Sequence, residues 1–412
     1  MQSAVTKAGT TARAAGMSLT SASLRKATSS NSVTVLGTLI PHTWLRDHCR
    51  HTLSRPVVGQ RTFDTATMSC DIAPTHVDVR GGELVLRWPD AHATTYSLDW
   101  LKQNYVDAVK LAPLKHANAV HQFHGLARTL PGYAEQRPFN RASFPRADDL
   151  PGMTHAELVR DGDKGLLKWM RLTMQHGFSV LRDTPATFEA TSDALRRLGY
   201  FESSIWGTAW EFTADLSRND MAYGNDHLHV HNDATYMPMA AYLEALHCLS
   251  FDGPRWATNT LVDGIAAAER ISDESKDVLL RYLSAGRNFD ETTFQISHDT
   301  VLKCDAHEPG RIVQVRYNNE DRDTLCLSPD HTVQFYDALL EFSAQLRAPE
   351  SEVALTLRPG LLLVINNWRT LHGRSAFLGK RQMCGAYHTL ASIFGTARAL
   401  AFKAGTSSSS SQ

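Results

Sequence analysis

The amino-acid sequence predicts a mainly β protein with covering helices: a double-sheet β-barrel domain preceded by a small β-rich domain. Three observations lead there. The chain has 412 residues, enough for one large domain and a smaller one. From Val33 to about Leu111 it breaks into short strand-like runs separated by Gly81-Gly82 and Pro89-Asp90. Beyond residue 152 strands outnumber helices, which fits a double-sheet barrel better than a parallel α/β sheet.

Composition narrows the function. A hydrophobic content of 42% supports a sizeable core, and a formal net charge of −1 offers no electrostatic basis for binding nucleic acid. The six cysteines, Cys49, Cys70, Cys248, Cys304, Cys326 and Cys384, form no C-x-x-C pair, so a disulfide framework is not expected. No apolar run reaches the length of a membrane span.

In chain order, residues 1–35 are rich in Ser, Thr, Ala and Gly, carry Lys7, Arg13, Arg25 and Lys26, and contain no acid before Asp47. That pattern reads as a mitochondrial transit peptide, which places the mature protein in the matrix. Residues 36–111 read as the small β-rich domain, with strands at Val77–Val79 and Glu83–Trp88. Residues 112–151 lack a clear period and read as a linker. Residues 152–404 form the larger domain. Leu166, Leu167, Met170 and Met174 recur at helical spacing before Gly177, and Phe178–Leu181 follows as a strand. Phe188–Leu198 is a helix stopped at Gly199, Ala241–Leu249 and Thr260–Val262 are strands, and Ile265–Ile271 is helical. Val333, Tyr336, Leu339, Leu340 and Leu346 make one helical stripe. Val353–Leu357 and Leu361–Ile365 are strands around Pro359-Gly360, a pair suited to a type II turn. The Ser-rich tail, 405–412, reads as disordered.

One stretch carries chemistry: His227-Leu-His229-Val-His231-Asn-Asp233-Ala-Thr-Tyr236. On an extended strand His231 and Asp233, two apart, point to one face. A second imidazole would complete a two-His-one-carboxylate triad, the arrangement that suits non-haem Fe(II) oxygenases. His372 follows the strand Leu361–Ile365 and supplies it at a strand end. Arg381, further on, offers a guanidinium fork for a buried carboxylate.

The chain resembles the TauD-type Fe(II)/2-oxoglutarate dioxygenases, and within them the carnitine-biosynthesis hydroxylases. The matching residues are Trp44-Leu-Arg-Asp47, Trp88-Pro-Asp90, Asp220-Met-Ala-Tyr223, His231–Tyr236, Arg316-Tyr-Asn-Asn319 and Asn367-Trp-Arg-Thr-Leu-His-Gly-Arg374. The resemblance implies a double-stranded β-helix (jelly-roll) catalytic domain and a homodimer. It implies Fe(II) on His231, Asp233 and His372, 2-oxoglutarate paired with Arg381, and ascorbate as reductant. Dioxygen would convert 2-oxoglutarate to succinate while an unactivated C–H is hydroxylated. The implied substrate is N6,N6,N6-trimethyllysine, hydroxylated at C3 in the first step of carnitine biosynthesis. The alternatives are γ-butyrobetaine and a non-catalytic methyl-lysine binding module.

A trimethylammonium has no N–H donors, so aromatic faces must select it. The resemblance places a cage at Trp206, Trp210 and Tyr223, with Tyr387 as a further wall; Trp206 stands where relatives carry Tyr. Read on spacing alone, Trp206 and Trp210 suit core packing on a helix. Asp220 would bring a carboxylate beside the cation, and Asn318 and Asn319 would bind the amino-acid end. Butyrobetaine hydroxylases also hold a Cys-rich zinc site. Here Cys49 remains with His51 and His92 nearby, three ligands where a closed site needs four, so no structural zinc is expected.

Overall fold

The structure, a computed structural model, describes residues 31–49, 53–55, 60–106, 128–213, 224–289, 293–305, 308 and 310–409. Most of the expected leader, and residues 112–127 of the expected linker, lie outside these residues.

The N-terminal part holds β1 (Ser32–Val35), β2 (Thr38–Pro41), α1 (His42–Asp47), β3 (Leu53–Arg55), β4 (Gln60–Arg61), β5 (His76–Arg80), β6 (Glu83–Arg87), β7 (Ala93–Ser97) and α2 (Leu98–Leu101). β5, β6 and β7 form an antiparallel meander; the expected runs at Val77–Val79 and Glu83–Trp88 fall on β5 and β6, and β7 is an addition. The expected leader reached to residue 35, but Ser32–Val35 is paired with β2, and Val33 and Val35 are buried. Alternation of Val with Ser and Thr gives this segment the pattern of a half-buried strand, so the folded chain starts earlier than residue 36.

Next come β8 (Gly152–Thr154), α3 (His155–His176), β9 (Phe178–Arg182), α4 (Phe188–Leu198), β10 (Ala209–Thr213), β11 (Leu228–His231), β12 (Leu243–Arg255), β13 (Asn259–Asp263), α5 (Gly264–Ala268) and α6 (Asp273–Arg281). After these follow β14 (Leu283–Phe289), β15 (Phe294–Thr300), β16 (Leu302–Cys304), β17 (Ile312–Val315), α7 (Pro329–Leu346), β18 (Glu352–Leu355), β19 (Leu362–Asn366), β20 (Thr370–Arg374), β21 (Leu378–His388) and α8 (Leu390–Ser409). Thr154 and Glu157 form a capping box at the start of α3, and Gly177 ends it. The expected tail from residue 405 begins inside α8, because Leu390–Leu400 supplies a buried helical face that carries the helix onward. Among the described residues no helix is long and apolar enough to cross a membrane.

Two sheets dominate. The larger has the order β10-β21-β12-β19-β9-β8 and is antiparallel except at β8–β9; the smaller, β11-β20-β13-β18, is antiparallel throughout. Phe178, Val180, Leu363 and Ile365 from the first share one apolar cluster with Leu261, Val353 and Leu355 from the second, so the sheets pack face to face. The chain passes between them through the Pro359-Gly360 turn. Leu361 N–H donates to the Arg358 carbonyl at 3.0 Å, and Gly360 takes φ 93, which position i+2 of a type II turn demands. Residues 128–151, expected as linker, instead pack on this body: Leu130 and Tyr133 join the cluster around Trp169, and Phe139 meets Phe178 edge-on. Apolar residues spaced along irregular backbone leave no periodic signal, which is why the segment reads as linker.

The N-terminal part shares its core with α5, α6 and α7, and a buried charge network locks the two together. The Asp47 carboxylate pairs bidentately with Arg322 at 3.0 Å on both oxygens, accepts from Thr65 at 2.6 Å, and also meets Arg61 and the Tyr336 hydroxyl. Burial would push its pKa up, but the two guanidiniums outweigh that and hold it well below the usual carboxylate range. Because the folded pKa is depressed, this stabilisation is present above about pH 4 and is lost only as the pH falls through the depressed value. Asp47→Ala leaves two buried guanidiniums without their counter-charge. Denaturant unfolding at pH 7 should show a loss of about 3–5 kcal/mol, and a loss below about 1 kcal/mol would contradict the role given to this network.

Candidate active site

His231 ends β11 and His372 sits at the centre of β20; in the antiparallel register the two residues are partners. Their ring centres are 4.4 Å apart. Strand alternation was expected to bring Asp233 to the face of His231, and His372 was expected at a strand end. The structure corrects both. β11 stops at His231, Asp233 lies in a turn whose next residue, Ala234, takes φ 59, and His372 is inside a fully buried strand.

Asn232 makes the turn. Its N–H donates to the Tyr317 carbonyl at 2.7 Å, its Oδ1 accepts from Tyr317 N–H at 3.1 Å, and its Nδ2 donates to the Asn367 carbonyl at 2.7 Å. Asn367 answers from the other side. Its Oδ1 accepts from Asp233 N–H at 2.9 Å, and its Nδ2 donates to the carbonyls of Asp233 and Ala241, each at 3.0 Å. Held this way, Asp233 Oδ1 lies 3.1 Å from His231 Nε2 and 3.9 Å from His372 Nε2.

The donor set fits a divalent metal. Among the described residues these three are the only His, Cys, Asp or Glu group whose ligand atoms all lie within 4.8 Å of one another. His231 Nδ1 lies 2.7 Å from the His229 carbonyl; a proton there leaves the Nε2 lone pair free. Tyr387 donates its hydroxyl to Asp233 Oδ2 at 2.5 Å, which leaves Oδ1 free. Two imidazole nitrogens and one carboxylate oxygen match the facial triad that suits Fe(II).

Burial and charge push the two imidazoles in opposite directions. Burial lowers the His231 pKa, but the hydrogen bond and charge of Asp233 outweigh it and push the value up to about 9. His372 is pushed down to about 4 by burial and by the charge of His231, so it stands neutral. Sequence reading missed Glu244 on β12. It is fully buried, with Oε2 3.3 Å from His372 Nδ1. Burial and the nearby Asp233 push its pKa well above the carboxylate range and favour the neutral acid. Its position two residues after Tyr242, inside an apolar run, is the only sequence cue.

The triad opens into a cleft of about 1020 Å³, mouth included. Arg381 lines it, buried, with Nε lacking a hydrogen-bond partner and its guanidinium 4.8 Å from the Phe377 ring centre. Among the described residues no carboxylate lies within ion-pair distance of Arg381. Trp206, Trp210, Phe212 and Tyr387 line one wall. The two tryptophans are not on a helix: Trp206 sits in a turn and Trp210 on β10, facing Gly385 of β21. A Cβ on Gly385 would come within 1.9 Å of the Ala245 carbonyl and 2.5 Å of the Trp210 ring, so glycine is what lets both β12 and the indole approach there.

Of the other expected residues, Asn318 lines the cleft, whereas Asn319 does not: its Nδ2 donates to the Phe63 carbonyl at 3.2 Å and ties it to the N-terminal part. Asp220 and Tyr223 lie outside the described residues, as does His51. Its two companions are adjacent, with Cys49 Sγ 3.1 Å from His92 Nε2.

Residues 143–387 match the family described as taurine catabolism dioxygenase TauD, TfdA family, and residues 17–102 match the gamma-butyrobetaine hydroxylase-like N-terminal family. The second match begins within the segment expected as a leader. The chain is 31% identical over 377 residues to mitochondrial trimethyllysine dioxygenase of Gallus gallus, covering 88% of this chain and 83% of that protein. It is 30% identical over 382 residues to the same-named protein of Homo sapiens, with the same coverage. Gamma-butyrobetaine dioxygenase of Pongo abelii is 22% identical over 375 residues, covering 85% of this chain and 88% of that protein. Among solved structures, an asparagine oxygenase with Fe(II), 3-hydroxyasparagine and succinate aligns at 18% identity and a TM-score of 0.44, over 69% of this chain and 92% of that one.

If the triad binds metal, a cation must displace the proton shared by His231 and Asp233. Co(II) affinity, followed by the visible absorption of the ion, should then rise about tenfold per pH unit from pH 6 toward 9. His231→Ala, Asp233→Ala and His372→Ala should each lower that affinity by at least about 100-fold, while His227→Ala and His229→Ala change it far less. Loss of binding in His229→Ala with retention in His231→Ala would refute the ligand set.

Proposed function

The chain belongs to the taurine catabolism dioxygenase TauD, TfdA family, and from that premise we propose that it hydroxylates N6,N6,N6-trimethyllysine at C3, with Fe(II), 2-oxoglutarate and ascorbate. The observation that carries this reading is the convergence of His231, Asp233 and His372 on a cleft that holds both a buried guanidinium, with no carboxylate beside it among the described residues, and an aromatic wall. Substrate identity rests on the relatives named trimethyllysine dioxygenase, which the chain matches across most of their length. We assign the two packed sheets to a double-stranded β-helix. A homodimer, and a mitochondrial leader in the N-terminal segment, belong to the same proposal.

Each role follows from the chemistry of the side chain. His231, Asp233 and His372 hold the iron. When bound, iron and 2-oxoglutarate supply oxygen activation coupled to decarboxylation to succinate. Arg381 binds the C5 carboxylate, because a buried guanidinium without an anion is costly and a bidentate carboxylate satisfies it. Tyr387 and Asn367 hold Asp233 in place, and Glu244 sits behind the His372 ring. Trp206, Trp210 and Tyr387 present aromatic faces to the trimethylammonium, each worth about 0.5–2 kcal/mol. Asp220 adds Coulomb attraction to that cation. An intact ligand set together with Arg381 favours catalysis over a passive methyl-lysine reader.

Incubation with Fe(II), ascorbate, 2-oxoglutarate and either betaine, followed by mass spectrometry, tests the assignment. Trimethyllysine should be hydroxylated at C3 and γ-butyrobetaine should be a poor substrate; faster turnover of γ-butyrobetaine would reject it. Asp220→Asn should raise the KM for trimethyllysine, since the cationic head keeps its charge through the reaction. Trp210→Leu should raise KM for trimethyllysine by about tenfold and leave Co(II) affinity nearly unchanged, because the lost ring faces the cleft and is not one of the three ligands.

A further inference from the structure

The cleft has a polar side that the proposed chemistry does not use. It is lined by Asn288, Asn318, Glu320 and Asp321. Asn318 is fully occupied in holding a turn: its Oδ1 accepts from the N–H groups of Glu320 and Asp321 at 3.0 and 3.1 Å, and its Nδ2 donates to Asp321 Oδ2 at 2.9 Å. Glu320 is different. It is 6% exposed, with Oε1 3.1 Å from His229 Nδ1 and Oε2 buried without a hydrogen-bond partner. Asn288, 8% exposed on β14, also has a buried Oδ1 without a partner.

Two buried acceptors thus line one cleft without donors among the described residues. Native proteins rarely leave such groups unmet, since each then bears its full desolvation cost. Acceptors of this kind on one cleft wall suit a donor-rich cation. A trimethylammonium has no N–H, and 2-oxoglutarate is an anion without donors. A primary ammonium brings three donors and a positive charge for the Glu320 carboxylate.

We propose that Glu320 and Asn288 form the subsite for the α-ammonium of an α-amino acid substrate, and so select trimethyllysine over betaines that lack this group. The inference rests on the trimethyllysine reading and deepens it. The acceptors face the substrate's amino-acid end, while the aromatic wall faces its methylated end. Asn318 serves as scaffold for the turn that presents Glu320. The competing role for Glu320 is structural. Its hydrogen bond to His229 steadies β11, whose last residue is His231. A structural role would affect every substrate alike, whereas an ammonium subsite affects only those that carry the ammonium.

The test compares trimethyllysine with 6-(trimethylammonio)hexanoate, which keeps the chain, the carboxylate and the methylated head but lacks the α-ammonium. Wild-type protein should favour trimethyllysine in kcat/KM by at least about tenfold, the size expected of one charge-assisted hydrogen bond. Glu320→Gln should lower kcat/KM for trimethyllysine by about tenfold or more, chiefly through KM. The value for the analogue should change less than about twofold, and Co(II) affinity should change far less than on loss of a triad residue. Asn288→Ala should show a smaller loss with the same selectivity, and it stands as the test should Glu320→Gln fail to fold. Equal losses on both substrates, or none on either, would overturn the subsite while leaving the trimethyllysine reading intact. No turnover of trimethyllysine by the wild-type protein would overturn both.

Discussion

The site depends on an exchange of amide hydrogen bonds between Asn232 and Asn367. Each side chain reaches the backbone of the other's neighbourhood, so the end of β11 and the loop before β20 are fixed to one another. Without this exchange a chain leaving β11 would continue the strand. With it, the chain turns at Asp233, and the carboxylate is brought to the two imidazoles from outside the sheet. Tyr317 completes the frame by pairing backbone groups with Asn232. These are neutral, buried hydrogen bonds with short reach, well suited to hold three donor atoms to sub-ångström tolerance.

A second tier supports that frame from farther away. Arg316 donates to the carbonyls of Thr235 and Met237 at 2.8 Å, bracing the loop that follows Asp233, and Trp368 Nε1 donates to the Ala240 carbonyl at 2.9 Å. Arg46 pairs with Asp90 at 2.8 Å, joining two of the quoted motifs within the N-terminal part. That part reaches the elements behind the cleft. Asp64 lies 3.6 Å from His229, and Phe63 accepts from Asn319. The N-terminal part is therefore built into the support of the site, and the Asp47 network makes the union rigid.

Much of this was legible in the residues. Helix α4 lies where its pattern placed it, and the Pro359-Gly360 turn forms because that dipeptide has few other conformations. His231, Asp233, His372 and Arg381 were found from residue type and resemblance, and the structure gathers all four around one cleft. What spacing missed is tertiary. Two-residue alternation could not foresee that Asn232 breaks the strand, since its partners are 85 and 135 residues away. Trp206 and Trp210 four apart imitate a helix, but Trp206 sits in a turn and Trp210 lies on a strand against Gly385 of β21. Glu320 looks like an ordinary surface acid in sequence, and Glu244 is set apart only by its apolar neighbours; burial and an oxygen without a hydrogen bond mark both in the structure. Asn319 sat in the right motif and faces the wrong way, because neighbouring residues in a turn point to different partners.

The central claim is that this cleft couples oxidation of 2-oxoglutarate to hydroxylation of trimethyllysine. Turnover under oxygen-18 gas tests it most directly. One labelled oxygen should appear in succinate and one in the hydroxyl group at C3, in equal amounts. Labelled succinate without labelled hydroxytrimethyllysine would contradict it, since the cleft would then activate oxygen without holding this substrate where the oxygen is delivered.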